Sequence, residues 1–263
     1  KSLVRSSGLA FNKKDASPEE RAADYGAAID EKRRLTSMLR EKNFKKLDDL
    51  ANVDVYNGTA SFVSNTVVEI KTSEETLEIE GEKIFINTGG TPVIPSIKGL
   101  EGNPYVYTSA ELMDLREYPK QLVIVGGGYI GLEFSSMYSG FGTKVTVLQD
   151  GEVLIPREDR DVAEAIQGVL ENRGVTFKLG AQIQEIVRAD GHARIKLTFK
   201  GQEEILEADA VLIATGRKPN TEGLRPERAG VELNKRGAVV VDDELKTTAD
   251  NIWAMGDVHG GLQ

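Results

Sequence analysis

The segment 121–141 constrains the fold more than any other stretch, because it joins an apolar strand to a helix through a glycine loop. Gln-Leu-Val-Ile-Val is typical of a strand, and Gly126, Gly128 and Gly131 follow with the spacing G-x-G-x-x-G. At such a junction the first glycine makes a tight turn, the second lets backbone amides approach a diphosphate, and the third lets the helix pack on the strand. A turn without a ligand is the alternative reading, but the flanking strands and helix favour dinucleotide binding.

Strands and helices alternate through residues 121–216, which predicts a parallel sheet covered by helices. Within this region, three short alternating runs between 181 and 208 predict an antiparallel meander. A second meander followed by a buried strand is predicted over 53–86, and two further strands over 238–257. Ser17-Pro18-Glu19-Glu20 predicts a capped helix start, and a short separate helix is expected near 44–50.

Composition excludes several classes of function. The 263 residues leave room for one large or two smaller domains, and the net charge of −9 argues against nucleic acid or an anionic membrane as partner. No apolar run approaches the roughly 18 residues of a membrane-spanning helix, and no secretory signal is present. The absence of cysteine excludes disulfides and thiolate metal sites within this chain, and the cytoplasm is the default location.

The second strand of the dinucleotide unit ends at Leu148-Gln149-Asp150, where the adenosine ribose is expected. Gln149 is neutral and can bind a 2′-hydroxyl, although less strongly than an acid, and Asp150 would repel a 2′-phosphate if it points inward. These residues favour NAD over NADP. Arg157 is the nearest basic residue and could oppose that preference, but a solvated loop charge is its simpler interpretation.

Three further motifs make the chain resemble a known family. They are INTGGTPVIP at 86–95, IATGRKPN at 213–220 and TTADNIWAMGDV at 247–258. Together with the glycine loop, and in this order, they resemble the pyridine nucleotide-disulfide oxidoreductases, the flavoproteins that include glutathione reductase, lipoamide dehydrogenase and mercuric reductase. The opening KSLVRSS resembles the lysine and helix that follow the redox cysteine pair of the family. We therefore expect a piece of a longer protein, without the N-terminal FAD loop, the cysteines and the C-terminal dimerisation domain.

The resemblance implies an α/β fold with two Rossmann-like dinucleotide-binding domains, each with a parallel sheet and an antiparallel β-meander, and with the FAD domain incomplete. Its expected boundaries are 1–118 for a partial FAD-binding domain, 119–237 for the NAD(P)-binding domain and 238–263 for the return segment of the FAD-binding domain. The chain departs from the family at Asn87, where alanine is usual, and at Gln149, where glutamate is usual.

The resemblance also implies roles for individual residues. Lys1 resembles the lysine near flavin N5, Glu133 its carboxylate partner, and Tyr129 the aromatic gate over the flavin. A frayed terminus, a surface glutamate and a packed tyrosine are the simpler alternatives. The expected cofactor-binding residues are Gly126, Gly128, Ile130, Gly131 and Gln149 for the nicotinamide coenzyme, Thr88, Gly89, Thr215, Gly216 and Arg217 along the two nucleotide crevices, and Gly256 and Asp257 for FAD.

The implied function is a flavin-dependent oxidoreductase that passes hydride from NAD(P)H to FAD and electrons on to a disulfide, a metal ion or another acceptor. Two alternatives stay open: a non-catalytic dinucleotide-binding module that senses redox state, and a flavin NADH oxidase or peroxidase of the same architecture. No metal ligands are expected. The fragment is expected to bind NADH, to retain FAD poorly and to be monomeric, whereas the full-length protein is expected to be a homodimer.

Overall fold

A computed structural model describes residues 1–13 and 15–261. The α-helices in this part of the chain are α1 (Ser2–Phe11), α2 (Pro18–Asp48), α3 (Ser109–Leu112), α4 (Tyr129–Phe141) and α5 (Arg160–Glu171). The strands are β1 (Thr59–Phe62), β2 (Val67–Lys71), β3 (Thr76–Glu80), β4 (Ile84–Ile86), β5 (Gly90–Pro92), β6 (Val106–Tyr107), β7 (Gln121–Val125), β8 (Lys144–Gln149), β9 (Thr176–Leu179), β10 (Gln182–Ala189), β11 (His192–Phe199), β12 (Gln202–Ala208), β13 (Ala210–Ile213), β14 (Arg217–Pro219) and β15 (Ile252–Ala254). Short 3₁₀ helices cover Pro226–Ala229 and Gly256–His259.

The chain divides into two compact units. Unit 1 comprises Lys1–Arg40 and Pro92–Gly216, and unit 2 comprises Glu41–Thr91 and Arg217–Gln263. These units follow spatial contacts, whereas the boundaries expected above follow motifs, so those boundaries stay a prediction. Both units contain parallel and antiparallel strands, which confirms the α/β class.

A five-stranded parallel sheet of order β6-β13-β7-β8-β9 forms the centre of unit 1. Successive side chains of a strand point to opposite faces, and the apolar run of β7 follows this rule. Leu122 and Ile124 belong to the core on the helical side, whereas Val123 and Val125 belong to the core beneath the β10-β11-β12 meander. Burial on both faces explains why the strand is apolar throughout, as the sequence predicts.

Helix α1 packs on α4 with very small residues at the contact. Leu3, Ser7 and Ala10 are the buried residues of α1. A Cβ at Gly140 would lie 2.9 Å from the carbonyl oxygen of Ser7, which is closer than real Cβ contacts come. The two helix backbones therefore approach more closely than any other residue at position 140 would permit.

Helix α2 starts as the sequence predicts and ends later. The capping box is present, because Glu20 N–H donates to Ser17 Oγ at 3.2 Å and Ser17 N–H donates to the Glu20 carboxylate at 2.8 Å. The separate helix expected near 44–50 is wrong, since α2 continues without a break to Asp48. Good helix formers and an ion pair between Glu41 and Lys45, one turn apart at 3.1 Å, carry the helix through this region.

Unit 2 is built on the β1-β2-β3 meander and on β15, which pairs in parallel with β4. Its core includes Phe62, Ile86, Ile252 and Ala254. Of the two strands expected over 238–257, β15 is confirmed, but the stretch 238–241 forms no regular strand. Val239 makes only an isolated bridge to Leu233, because successive N–H groups of this stretch donate to different parts of the chain, Val239 to Val258 O of the 3₁₀ helix and Val240 to Glu232 O of a loop, rather than to one neighbouring strand.

Candidate functional site

Two glycines of the loop between β7 and α4 are required by the fold itself. Gly126 has a φ of 115°, and a Cβ there would collide with the carbonyl oxygen of Ala214. A Cβ on Gly131 would collide with the carbonyl oxygen of Gly126, because the first turn of α4 lies directly on the loop. Only glycine adopts the positive φ of position 126 at little cost. Only glycine leaves room for the carbonyl oxygen of Gly126 to approach position 131. These residues set the turn and the distance between helix and sheet.

Gly128 differs from them, because nothing in the fold excludes a side chain there. It is the N-cap of α4 with φ −82° and ψ −176°, and an added Cβ would meet no atom within 4 Å. The first helical hydrogen bond runs from Leu132 N–H to Gly128 O at 3.0 Å, so the amides of Tyr129, Ile130 and Gly131 precede the helical ladder. Open space in front of leading amides at a helix N-terminus fits the diphosphate of a dinucleotide.

The Gln149 side chain at the end of β8 contacts the glycine loop. Its Oε1 accepts a hydrogen bond from Gly127 N–H at 2.7 Å, and its Nε2 donates to Asp150 Oδ1 at 3.1 Å. Gly151 N–H donates to the same carboxylate oxygen at 2.8 Å. The loop, Gln149 and Asp150 thus form one hydrogen-bonded series at the carboxyl end of the parallel sheet, which is where such sheets bind ligands.

The segment 151–159 packs against the glycine loop. The sequence did not predict this contact. Ile155 N–H donates to Gly127 O at 3.0 Å, and Leu154 and Ile155 are buried, whereas the preceding Val153 is exposed. The short apolar run Val153-Leu154-Ile155 between charged residues is the signal that could have identified the contact. Tyr129, about half exposed, donates from its hydroxyl to the Glu158 carboxylate, and this hydrogen bond raises the pKa of Tyr129 above its usual value.

Lys1 and Glu133 are carried by two helices that pack on each other. Lys1 is the N-cap of α1, and Glu133 is an exposed residue of α4. Within residues 1–13 and 15–261, no ion pair joins the two side chains. The structure therefore brings their helices together without forming the pair.

The end of β13 is fixed by two hydrogen bonds within unit 1. Thr215 Oγ1 donates to Val93 O at 2.9 Å, and Val93 N–H donates to Gly216 O at 2.9 Å. Gly216 has a φ of 123°, a conformation that favours glycine. Thr215 thus stabilises the turn that follows β13. This turn lies next to the glycine loop, because Gly126 approaches the carbonyl group of Ala214.

The INTGG and RKPN segments interlock within unit 2. Thr88 Oγ1 donates to Asn220 O at 2.7 Å, Asn220 Nδ2 donates to Thr88 O at 2.9 Å, and Asn220 N–H donates to Gly89 O at 2.9 Å. These bonds place the two motifs side by side at the paired strands β5 and β14. Thr88 and Gly89 therefore have a structural role that the sequence did not predict.

Arg217, Gly256 and Asp257 form a polar cluster beside this junction. The guanidinium of Arg217 donates to Gly90 O and lies 3.8 Å from the Asp257 carboxylate. Gly256 has a φ of 71°, and a Cβ there would lie 2.8 Å from Asn87 Oδ1. Asp257 is about half exposed, so its carboxylate is accessible to hydroxyl donors. A guanidinium donor, a carboxylate acceptor and an exposed side-chain amide are together a set of polar groups that fits the ribityl and diphosphate groups of a flavin dinucleotide.

No group of acidic or histidine side chains among residues 1–13 and 15–261 is arranged to hold a metal ion. None of the helices in the described part of the chain has the length and hydropathy needed to cross a bilayer.

Comparisons with known proteins identify the family. The sequence profile of the pyridine nucleotide-disulphide oxidoreductases matches residues 10–263. The Escherichia coli (strain K12) protein named "Probable pyridine nucleotide-disulfide oxidoreductase RclA" is 48% identical over 240 residues, covering 91% of this chain and 54% of that protein. A mercuric reductase from Lysinibacillus sphaericus is 34% identical, covering 91% and 43%.

A solved structure, the Cu(II) complex of the HOCl-induced flavoprotein disulfide reductase RclA from Escherichia coli, is similar with a TM-score of 0.87 and 43% identity. The match covers 100% of this chain and 57% of the chain in that structure. The chain thus spans about half the length of the relatives it matches. Members of the family use FAD and a pyridine nucleotide. From the profile match and these relatives, we conclude that the chain belongs to the pyridine nucleotide-disulphide oxidoreductase family.

Proposed function

We propose that this chain carries the nicotinamide-coenzyme site, and part of the flavin site, of an oxidoreductase that passes hydride from NAD(P)H to FAD and electrons on to an acceptor. The observation that supports it most is the cradle at Gly128, an open space in front of three leading amides of α4. FAD supplies the hydride-accepting chemistry when bound. The protein supplies binding, orientation and electrostatics around it.

In this proposal each residue has a physical role. The amides of Tyr129, Ile130 and Gly131 bind the diphosphate, and the Tyr129 side chain would be the aromatic gate over the flavin that nicotinamide displaces. Lys1, paired with Glu133, would favour the arrival of negative charge at the flavin. On the flavin side, Arg217 and Asp257 would hold the dinucleotide. The domain boundaries 1–118, 119–237 and 238–263 belong to the same proposal.

The acceptor is proposed as a class only. One structural relative is named a disulfide reductase and another relative a mercuric reductase, so a disulfide and a metal ion are the first two classes to test. Full-length protein would be mixed anaerobically with NADH, and loss of the oxidised flavin absorbance would be followed before and after each acceptor is added. Flavin that stays oxidised in the presence of NADH and NADPH would refute the proposed hydride transfer.

The chain itself offers a simpler test. Calorimetry with NADH and NADPH is expected to show saturable binding to the purified, folded chain, and FAD is expected to be retained poorly. A folded chain that binds neither reduced coenzyme would contradict the proposed nicotinamide site. A stoichiometric flavin colour after purification would contradict the expected weak retention of FAD.

A further inference from the structure

We propose that Gln149 is a positioning residue rather than a ribose ligand, and that Asp150 is the group that distinguishes NADH from NADPH. The inference rests on the proposed function, because it assigns the adenosine end of the same coenzyme site. It changes the role that the sequence suggests, in which the residue at the end of β8 itself binds the ribose.

The first argument is the use of the Gln149 amide. An amide side chain has one acceptor oxygen and two N–H donors. The oxygen of Gln149 accepts from Gly127 N–H at 2.7 Å, and one N–H group is used at 3.1 Å on Asp150. The oxygen is therefore already engaged by the loop amide, so we assign the ribose contact to a neighbouring group rather than to this acceptor.

The second argument is the state of Asp150. Its carboxylate is exposed, and both hydrogen bonds that it accepts in the described part of the chain fall on Oδ1, from Gln149 Nε2 and from Gly151 N–H. Oδ2 is left for a ligand. A 2′-hydroxyl can donate to this oxygen, whereas a 2′-phosphate brings negative charge next to a carboxylate and is repelled.

The third argument is that Gln149 is hydrogen-bonded both to Asp150 and to the glycine loop. The Gly127 peptide is held on both sides, its N–H by Gln149 and its carbonyl by Ile155 N–H at 3.0 Å. The same Gln149 amide orients the Asp150 carboxylate. Removing the Gln149 amide should therefore disturb both the loop that binds the diphosphate and the orientation of the group that reads the ribose.

The test compares three variants of the chain by calorimetry with NADH and with NADPH. Asp150→Asn removes the charge at nearly constant size, Gln149→Met removes the hydrogen bonds at similar length, and Asp190→Asn removes an exposed charge from the β10–β11 turn as the matched control. Thermal melts establish that each variant is folded. Asp150 and Asp190 are exposed, so neither asparagine variant is expected to unfold the chain.

We expect the wild-type chain to prefer NADH by about tenfold or more, from one charge-assisted hydrogen bond and the repulsion of the phosphate. Asp150→Asn should reduce that ratio about tenfold, mainly by loosening NADH and tightening NADPH. Gln149→Met should weaken both coenzymes and also reduce the ratio, whereas Asp190→Asn should leave both affinities unchanged. A merely structural role for Asp150 would not move the ratio.

Two results would overturn the inference. One is an unchanged ratio in folded Asp150→Asn. The other is a Gln149→Met variant that loses the ratio by weakening NADH alone, with NADPH affinity unchanged, which would make Gln149 itself the ribose ligand. If folded wild-type chain binds neither coenzyme, the proposed function fails instead, so the two failures are distinguishable.

Discussion

Replacing Gly128 by alanine should weaken coenzyme binding without destabilising the fold. The backbone there, with φ −82° and ψ −176°, suits any residue, and the new methyl group would meet no atom within 4 Å. Alanine restricts the unfolded chain, which stabilises by about 0.4–1 kcal/mol, and glycine's preference for the N-cap opposes this by a similar amount. The free energy of unfolding should therefore stay within about 1 kcal/mol of the wild-type value.

Replacing Gly126, two positions earlier in the loop, by alanine should instead destabilise the fold. The φ of 115° is strained for alanine by about 1–3 kcal/mol. The collision with the Ala214 carbonyl adds about 1–3 kcal/mol of overpacking. The sum of about 2–6 kcal/mol should lower the melting temperature of the variant by roughly 4–24 °C, at about 2–4 °C per kcal/mol.

The assay combines thermal melts followed by circular dichroism with calorimetry of NADH binding. Gly168→Ala is the matched control, since an added Cβ at this glycine of α5 also meets no atom within 4 Å. It should raise stability by about 1 kcal/mol through helix propensity and leave NADH affinity unchanged. Gly128→Ala should bind NADH at least about tenfold more weakly, because the methyl group occupies the diphosphate position. The reasoning is refuted if Gly128→Ala melts as low as Gly126→Ala, or binds NADH as tightly as the wild type.

Three further outcomes are expected. Tyr138→Phe should lower the free energy of unfolding by about 1 kcal/mol in urea titrations, since it removes a buried hydroxyl that donates to a carbonyl at 3.0 Å; an unchanged midpoint would contradict this. Glu158→Gln should lower the pKa of Tyr129, measured by NMR titration of labelled tyrosine, and an unmoved pKa would show that the carboxylate is not its partner. The hydrogen bond from Lys32 holds the pKa of Asp114 below 3.8, so its stabilisation is present above that pH and is lost as the pH falls through the lowered pKa. As the pH is lowered, the melting temperature of Asp114→Asn should therefore fall less than that of the wild type. The difference should be small because the Asp114 carboxylate is exposed, and equal falls in the two melting temperatures would exclude the effect.

The elements of unit 1 could be predicted because local pattern and burial agree. The predicted helix YIGLEFSSMYSGF coincides with α4, and the predicted strands QLVIV and KVTVLQ coincide with β7 and β8. A short apolar run has no diagnostic period, so its length, its β-branched residues and the glycines that follow it carried the assignment of β7 as a strand. Predictions failed over 44–50, where helix propensity extended α2, and over 238–241, where a 3₁₀ helix and a loop, rather than a neighbouring strand, accept the backbone hydrogen bonds.

The candidate site could be predicted in residue type but not in bonding partner. The glycine spacing predicted the cradle, since the backbone requires glycine at 126 and 131, whereas Gly128 only leaves open space. The partner of Gln149 depends on which atom lies 2.7 Å away after folding, and that atom is a loop amide 22 positions earlier in the chain. The contact of Leu154 and Ile155 with the loop is likewise tertiary, and the sequence gives only a short apolar run, Val153-Leu154-Ile155, as its sign.

The close crossing of α1 and α4 has a consequence for the proposed lysine and carboxylate. Lys1 heads one helix and Glu133 belongs to the other, and the spacing of the two helices is set where Ser7 meets Gly140. A larger residue at 140 would force the axes apart, which would displace the amino group of Lys1, whereas the glycine loop would stay anchored against β13. A single missing methyl group at position 140 thereby adjusts the separation of the two charges that we propose to act as a pair.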